Sequence, residues 1–145
     1  MQFLSHIPFV ELLGLQLQRL DPGEAEILLP LRPELHNSWD VAHGGALMTL
    51  LDVALAHAAR SPEQPGGEPA PGVVTIELKT SFMRPGLGVL RAVGRCLQRT
   101  PAMAFCEGSV LDEQQRLVAH ATGTFKYMRA LPAGSRRIHR LNASD

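Results

Sequence analysis

Net charge, sulfur and aromatic surface are scarce in this 145-residue sequence, and each shortage excludes something. Lys+Arg and Asp+Glu stand at 14 each. So balanced a chain has no electrostatic footprint for nucleic acid, and no broad basic field to meet an anionic membrane. No apolar run approaches the roughly 20 residues of a membrane-spanning helix. The first ten residues hold no Lys or Arg, and Glu11 interrupts the apolar stretch, which argues against a secretory signal. The two cysteines, Cys96 and Cys106, fit no CxxC or metal spacing. They read as isolated buried thiols, and a reducing, cytoplasmic location follows as the default. No HxxxH, HExxH or Cys/His cluster occurs, so neither a metal nor a cofactor is expected. A G-x-S-x-G elbow and a phosphate loop are also missing.

What is present suits one domain, because 45% of the residues are apolar and the length is typical of a single core. Ile7 to Leu13 reads as a short helix, with Pro8 in its first turn and Gly14 as its stop. Leu15 to Leu20 alternates apolar and polar residues, Asp21-Pro22-Gly23-Glu24 is a turn, and Ala25 to Leu31 returns as the second strand of a hairpin. Ala42 to Arg60 is the one long helical stretch. It is rich in Ala, Leu and Met and apolar nearly all round, so it should be buried. Ser61 to Pro71 carries four prolines and two glycines and must be a loop. Four strands follow: Val73 to Phe82, Val89 to Gln98, Ala102 to Leu111 and Leu117 to Tyr127. In the first of these, alternation sets Val74, Ile76, Leu78 and Phe82 on one face. Thr75, Glu77, Lys79 and Ser81 take the polar face. Residues 1–128 therefore form an α+β domain, one long helix covering an antiparallel sheet. Residues 129–145, with four arginines, are expected to be a disordered basic tail.

Chemistry concentrates around the helix. His43-Gly44-Gly45 opens it, and two glycines there allow another group to approach the backbone closely. Helix N-termini present unpaired N–H donors and a positive dipole, which suits a carbonyl oxygen becoming an oxyanion. Relief of crowding against the sheet explains the glycines equally well. Asp52 lies in an apolar helix with no Lys or Arg three or four residues away. A lone carboxylate there is paired, protonated or functional, and as a perturbed acid it could serve as general base or nucleophile. His43 and Asp52 are nine residues apart, about 900° of helix and 13–14 Å of rise. One helix thus cannot bring Gly44 and Asp52 to the same carbonyl. If both act on one substrate, they come from two chains, and at least a dimer is required. Asn37 and His43 are polar groups close to the helix entrance. His36, His57 and His120 read as structural.

Asn37, six residues before His43-Gly44-Gly45, with Asp52 nine after the His and a strand ending Ser81-Phe82-Met83-Arg84-Pro85, resembles the PaaI-like hotdog thioesterases. The likeness runs from about Phe9 to Tyr127. It implies a hotdog fold, a long central helix wrapped by an antiparallel sheet of five to six strands. It also implies hydrolysis of acyl-CoA thioesters by dimers or dimers of dimers. By position, Asp52 would activate water or attack directly, and the Gly44 amide would polarise the thioester carbonyl. Asn37 and His43 would orient the substrate, Thr75 would help hold the water, and Gly45 would sit on the substrate side; Arg84, at the end of its strand, is a candidate for binding the CoA nucleotide and reads equally as a solvated surface arginine. The acyl group is not legible. Two other activities remain open on the residues: a non-catalytic acyl-CoA-binding module, and a hotdog hydratase or dehydratase.

Overall fold

The computed structural model describes residues 1–133 and 136–138. Pro8–Leu13 forms helix α1, closed by Gly14 at φ 79, where the left-handed backbone suits glycine. Strands β1 (Gln16–Asp21) and β2 (Glu24–Pro30) make the expected hairpin. A single 3-10 turn at Pro33–Leu35 leads to helix α2, Gly44–Arg60. Strands β3 (Gly72–Phe82), β4 (Val89–Arg99), β5 (Met103–Leu111) and β6 (Leu117–Met128) follow.

All six strands join one antiparallel sheet in the order β1-β2-β4-β5-β6-β3. The connection from β2 to β3 therefore crosses the sheet, and α2 is what crosses it. One long helix packed on a six-stranded antiparallel sheet is the hotdog architecture. Leu50, Leu51 and Leu55 of α2 are completely buried against the sheet. Each contributes roughly 1.5–3 kcal/mol by leaving water. The helix can sit this close because the strands are bare beneath it. A Cβ on Gly94 of β4 would stand 2.7 Å from the Ala54 carbonyl oxygen, and one on Gly108 of β5 would stand 2.5 Å from Leu55.

Two expectations need correction. The alternation of β3 breaks at a bulge between Thr75 and Glu77. A bulge inserts one residue and reverses the faces on either side of it. Thr75 therefore turns to the helix, while Ile76 is 55% exposed. Cys96 and Cys106 are not isolated, because they lie directly opposite each other in the β4–β5 register. In the stretch expected to be a disordered tail, Leu131–Ala133 (β7) pairs with Arg136–Ile138 (β8). Residues 134, 135 and 139–145, on which the same expectation fell, lie outside the described residues. Among the described residues, no helix is long and apolar enough to cross a membrane.

Candidate active site

Helix α2 begins with its cap. His43 is extended, at φ −65 and ψ 137, and its Nδ1 accepts the Gly45 N–H at 2.8 Å. Accepting at Nδ1 leaves the ring proton of the neutral imidazole on Nε2, so His43 offers an N–H donor outward. The cap uses the Gly45 amide, so Gly45 supplies no free donor to a substrate. Gly44 differs, because its amide has no partner among the described residues, as expected at the first helical position. A Cβ on Gly44 would lie 3.5 Å from the Phe82 ring, so Phe82 borders the open amide.

The segment before the helix is ordered by Asn37. Its Oδ1 accepts the Trp39 N–H at 2.8 Å and the Val41 N–H at 3.4 Å. Asn37 is thus a loop-building residue whose side-chain NH2 remains available as a donor. Arg84 is anchored, donating from Nη1 to the Leu117 carbonyl at 3.0 Å. Its guanidinium ties the end of β3 to the start of β6.

Asp52 lies two turns further along α2. Thr75 Oγ1 donates to Asp52 Oδ1 at 2.7 Å, and this is the hydrogen bond that the β3 bulge makes possible. Burial pushes the Asp52 carboxyl above the ordinary carboxylate range, and the Thr75 hydrogen bond opposes that shift without reversing it. A carboxylate so placed is a better base than a solvated one. Thr75 keeps lone pairs with which to hold a water beside it.

Gly44 and Asp52 are eight residues apart on α2, about 12 Å along the axis and about 80° around it. The half-turn of phase counted from His43 does not apply, because His43 caps the helix from outside. The axial distance alone keeps the two groups apart within one chain. Sequence reasoning missed Phe82 as a neighbour of Gly44 and the 83% exposed Trp39 ahead of the helix. Phe82 had a signal: it extends the apolar face of β3 past the point where a core remains. Among the described residues, no group of three or more His, Cys, Asp or Glu side chains could hold a metal.

The geometry has counterparts in known proteins. The model of the thioesterase superfamily matches residues 40–119, the stretch that includes α2 and β3. The medium/long-chain acyl-CoA thioesterase YigI of Escherichia coli is 27% identical over 135 residues, covering 85% of this chain and 87% of that protein. The solved structure of the conserved protein PA5202 from Pseudomonas aeruginosa is similar at a TM-score of 0.77 and 33% identity, over 86% of this chain and 96% of that one. A mutant of the phenylacetic acid degradation protein PaaI from Thermus thermophilus aligns at a TM-score of 0.73 and 31% identity, over 84% of this chain and all of that one. An open helix N-terminus, a perturbed carboxylate further along the same helix and a family match across both place the chain in the thioesterase superfamily, as a thioester hydrolase of the PaaI-like hotdog type.

Proposed function

We propose that the protein hydrolyses acyl-CoA thioesters to a carboxylic acid and free CoA, in the cytoplasm, at sites shared between two protomers. The observation that carries this reading is the Asp52–Thr75 pair, a carboxyl on the largely apolar helix α2 joined to a hydroxyl on β3. The likeness to YigI supports CoA as the thiol carrier.

Asp52, partnered by Thr75, takes a proton from water as the water oxygen bonds to the thioester carbonyl carbon. The carbonyl oxygen gains charge and is met by the Gly44 amide of the other protomer, with the α2 dipole behind it. The His43 Nε2–H and the Asn37 NH2 donate to the substrate at the same helix entrance. The C–S bond then breaks, and the departing thiolate takes the proton held by Asp52. If Asp52 instead attacks the carbonyl directly, an acyl-enzyme anhydride forms and water resolves it. Label found in Asp52 after a single turnover in 18O-water identifies direct attack, because it arises only when water resolves the anhydride at the Asp52 carboxyl carbon.

Two protomers are needed because about 12 Å of helix separates Gly44 from Asp52. Strand β3 offers the joining surface. It is an 11-residue edge strand with one side unpaired among the described residues, and Ile76 and Phe82 along it and Met83 just past its end are at least half exposed. Such an edge pairs readily with a copy of itself about a two-fold axis. The test is a thiol-release screen over aromatic, short and medium-chain acyl-CoAs. The expected result is turnover of at least one substrate and a loss of about 10²–10⁴-fold in Asp52→Ala. Near wild-type rates in Asp52→Ala would remove the residue from the mechanism. An active monomer in sedimentation would remove the shared site.

A further inference from the structure

We propose that Cys96 and Cys106 form a redox-modifiable dithiol, which a hydroperoxide converts to a disulfide joining β4 and β5. The pair is independent of the thioesterase reading. It sits below the C-terminal end of α2, beside the Arg99 that binds Ala58 and Ser61 there.

Cys96 and Cys106 are register partners in an antiparallel pair. The Cys96 N–H points the other way, to the Gly23 carbonyl at 2.8 Å beside β2. Toward β5 the pair is therefore of the non-hydrogen-bonded kind, in which the Cα atoms are about 4.5 Å apart and the side chains are closest. That spacing falls at the near end of the 4.4–6.8 Å range of known disulfides. Immediately after Cys96 the register slips by one residue, a bulge that leaves the strand room to adjust as two sulfurs bond. Both thiols are free.

The two environments divide the labour. Cys96 is half-buried and opens onto a surface cleft of about 310 Å³ that Gly23, Glu63, Gln98 and Arg99 help to line. The Cys106 thiol and the Arg99 guanidinium favour the Cys96 thiolate, so Cys96 is held below the ordinary thiol range. Cys106 lies in the core, and its thiol is held up by the adjacent Cys96 and by burial. A low, accessible thiolate beside a protonated partner is the arrangement of an attacking and a resolving cysteine.

The chemistry balances with one hydroperoxide. The Cys96 thiolate attacks a peroxide oxygen and the O–O bond breaks. The leaving oxygen takes a proton and Cys96 becomes a sulfenic acid. The Cys106 sulfur then attacks the Cys96 sulfur and loses its proton. The S–O bond breaks and water departs. Two thiols lose two electrons, and hydrogen peroxide becomes two waters.

The test uses the full folded chain exposed to a small excess of hydrogen peroxide, quenched in acid, alkylated in denaturant and weighed intact. The expected product is an unalkylated monomer lighter by two hydrogens, and dithiothreitol restores both alkylation sites. Cys106→Ser should leave a sulfenic acid on Cys96 that a dimedone probe captures. Cys96→Ser should leave Cys106 unoxidised. The proposal is overturned if both thiols of the wild-type protein remain alkylatable after an exposure that consumes free glutathione. It is equally overturned if the disulfide joins two chains, or if Cys106 oxidises first.

Discussion

The two ends of α2 are built to opposite rules. At the C-terminal end the carbonyls from Ala58 to Ser61 are all engaged. Arg99 Nη2 reaches the Ala58 and Ser61 carbonyls at 3.1 and 2.7 Å, and the Ser61 hydroxyl at 2.8 Å. The Ser61 Oγ donates to Ala58 O and accepts from the Gly23 N–H, each at 2.7 Å. Tyr127 donates to the Ala59 carbonyl at 2.6 Å, and Ala70 N–H to the Arg60 carbonyl at 3.0 Å. At the N-terminal end a single side chain caps one amide, and the Gly44 amide is left open. One end holds the helix in place, and the other keeps a donor unspent, the amide that the proposed mechanism turns to the thioester carbonyl. Groups at the first end should therefore govern stability, and groups at the second should govern rate.

The largest effect should come from Asp52. Asp52→Asn is expected to lose about 10²–10⁴-fold in kcat. Because burial raises the carboxyl's folded-state pKa, its ionised form costs stability once pH exceeds the unfolded pKa. That cost is relieved as pH falls through the folded pKa. Asp52→Asn should therefore melt no lower than wild type near pH 7. The acid limb of the wild-type kcat/KM profile should lie above the usual carboxylate value of about 4.

Arg99→Ala is the converse. It strips partners from Ala58 and Ser61 and should cost about 3 kcal/mol, roughly 6–12 °C in Tm, with kcat/KM nearly unchanged in the folded protein. A rate loss without a Tm loss would break the division between the ends. Gly44→Ala sharpens it from the other side. The added methyl meets only the Phe82 ring at ordinary contact distance, so the fold should hold, while kcat/KM falls about tenfold or more as the methyl crowds the carbonyl. Tyr127→Phe should cost about 1–2 kcal/mol by orphaning the Ala59 carbonyl, again without loss of rate.

The smallest effect at neutral pH concerns His57, which lies between the two ends. Burial pushes its pKa down to about 4, its Nδ1 is bound to the Val53 carbonyl at 2.8 Å, and its Nε2 has no partner. A depressed folded-state pKa means that stability is full above the unfolded value of about 6.5 and is lost as pH falls toward 4. His57→Leu should flatten that part of the Tm–pH curve and leave the Tm at pH 7.5 little changed.

The sequence made the N-terminal end of α2 far more legible than the C-terminal end. His43, Gly44 and Asp52 belong to one local stretch, and helix periodicity makes such a stretch readable. The strands were legible by alternation, except where β3 bulges. One inserted residue put Thr75 on the expected polar face in the sequence, and on the helix side in the structure. Arg99 and Tyr127 left no local sign of their role, because their bonds to this end of the helix join residues 38 to 68 positions apart. Cys96 and Cys106 were hidden similarly: ten positions apart, they become neighbours only once the hairpin register is known.

The central claim is that Asp52 and Gly44 meet across two protomers, and subunit mixing tests it most directly. Asp52→Asn and Gly44→Val homodimers should each be inactive. In a mixed dimer, the intact Asp52 of one chain faces the intact Gly44 of the other at one of the two sites. The account predicts that exchange of subunits restores activity, to about a quarter of the wild-type rate for an equal random mixture. If the mixture remains inactive after exchange is confirmed by mass, each site belongs to a single chain and the account is wrong.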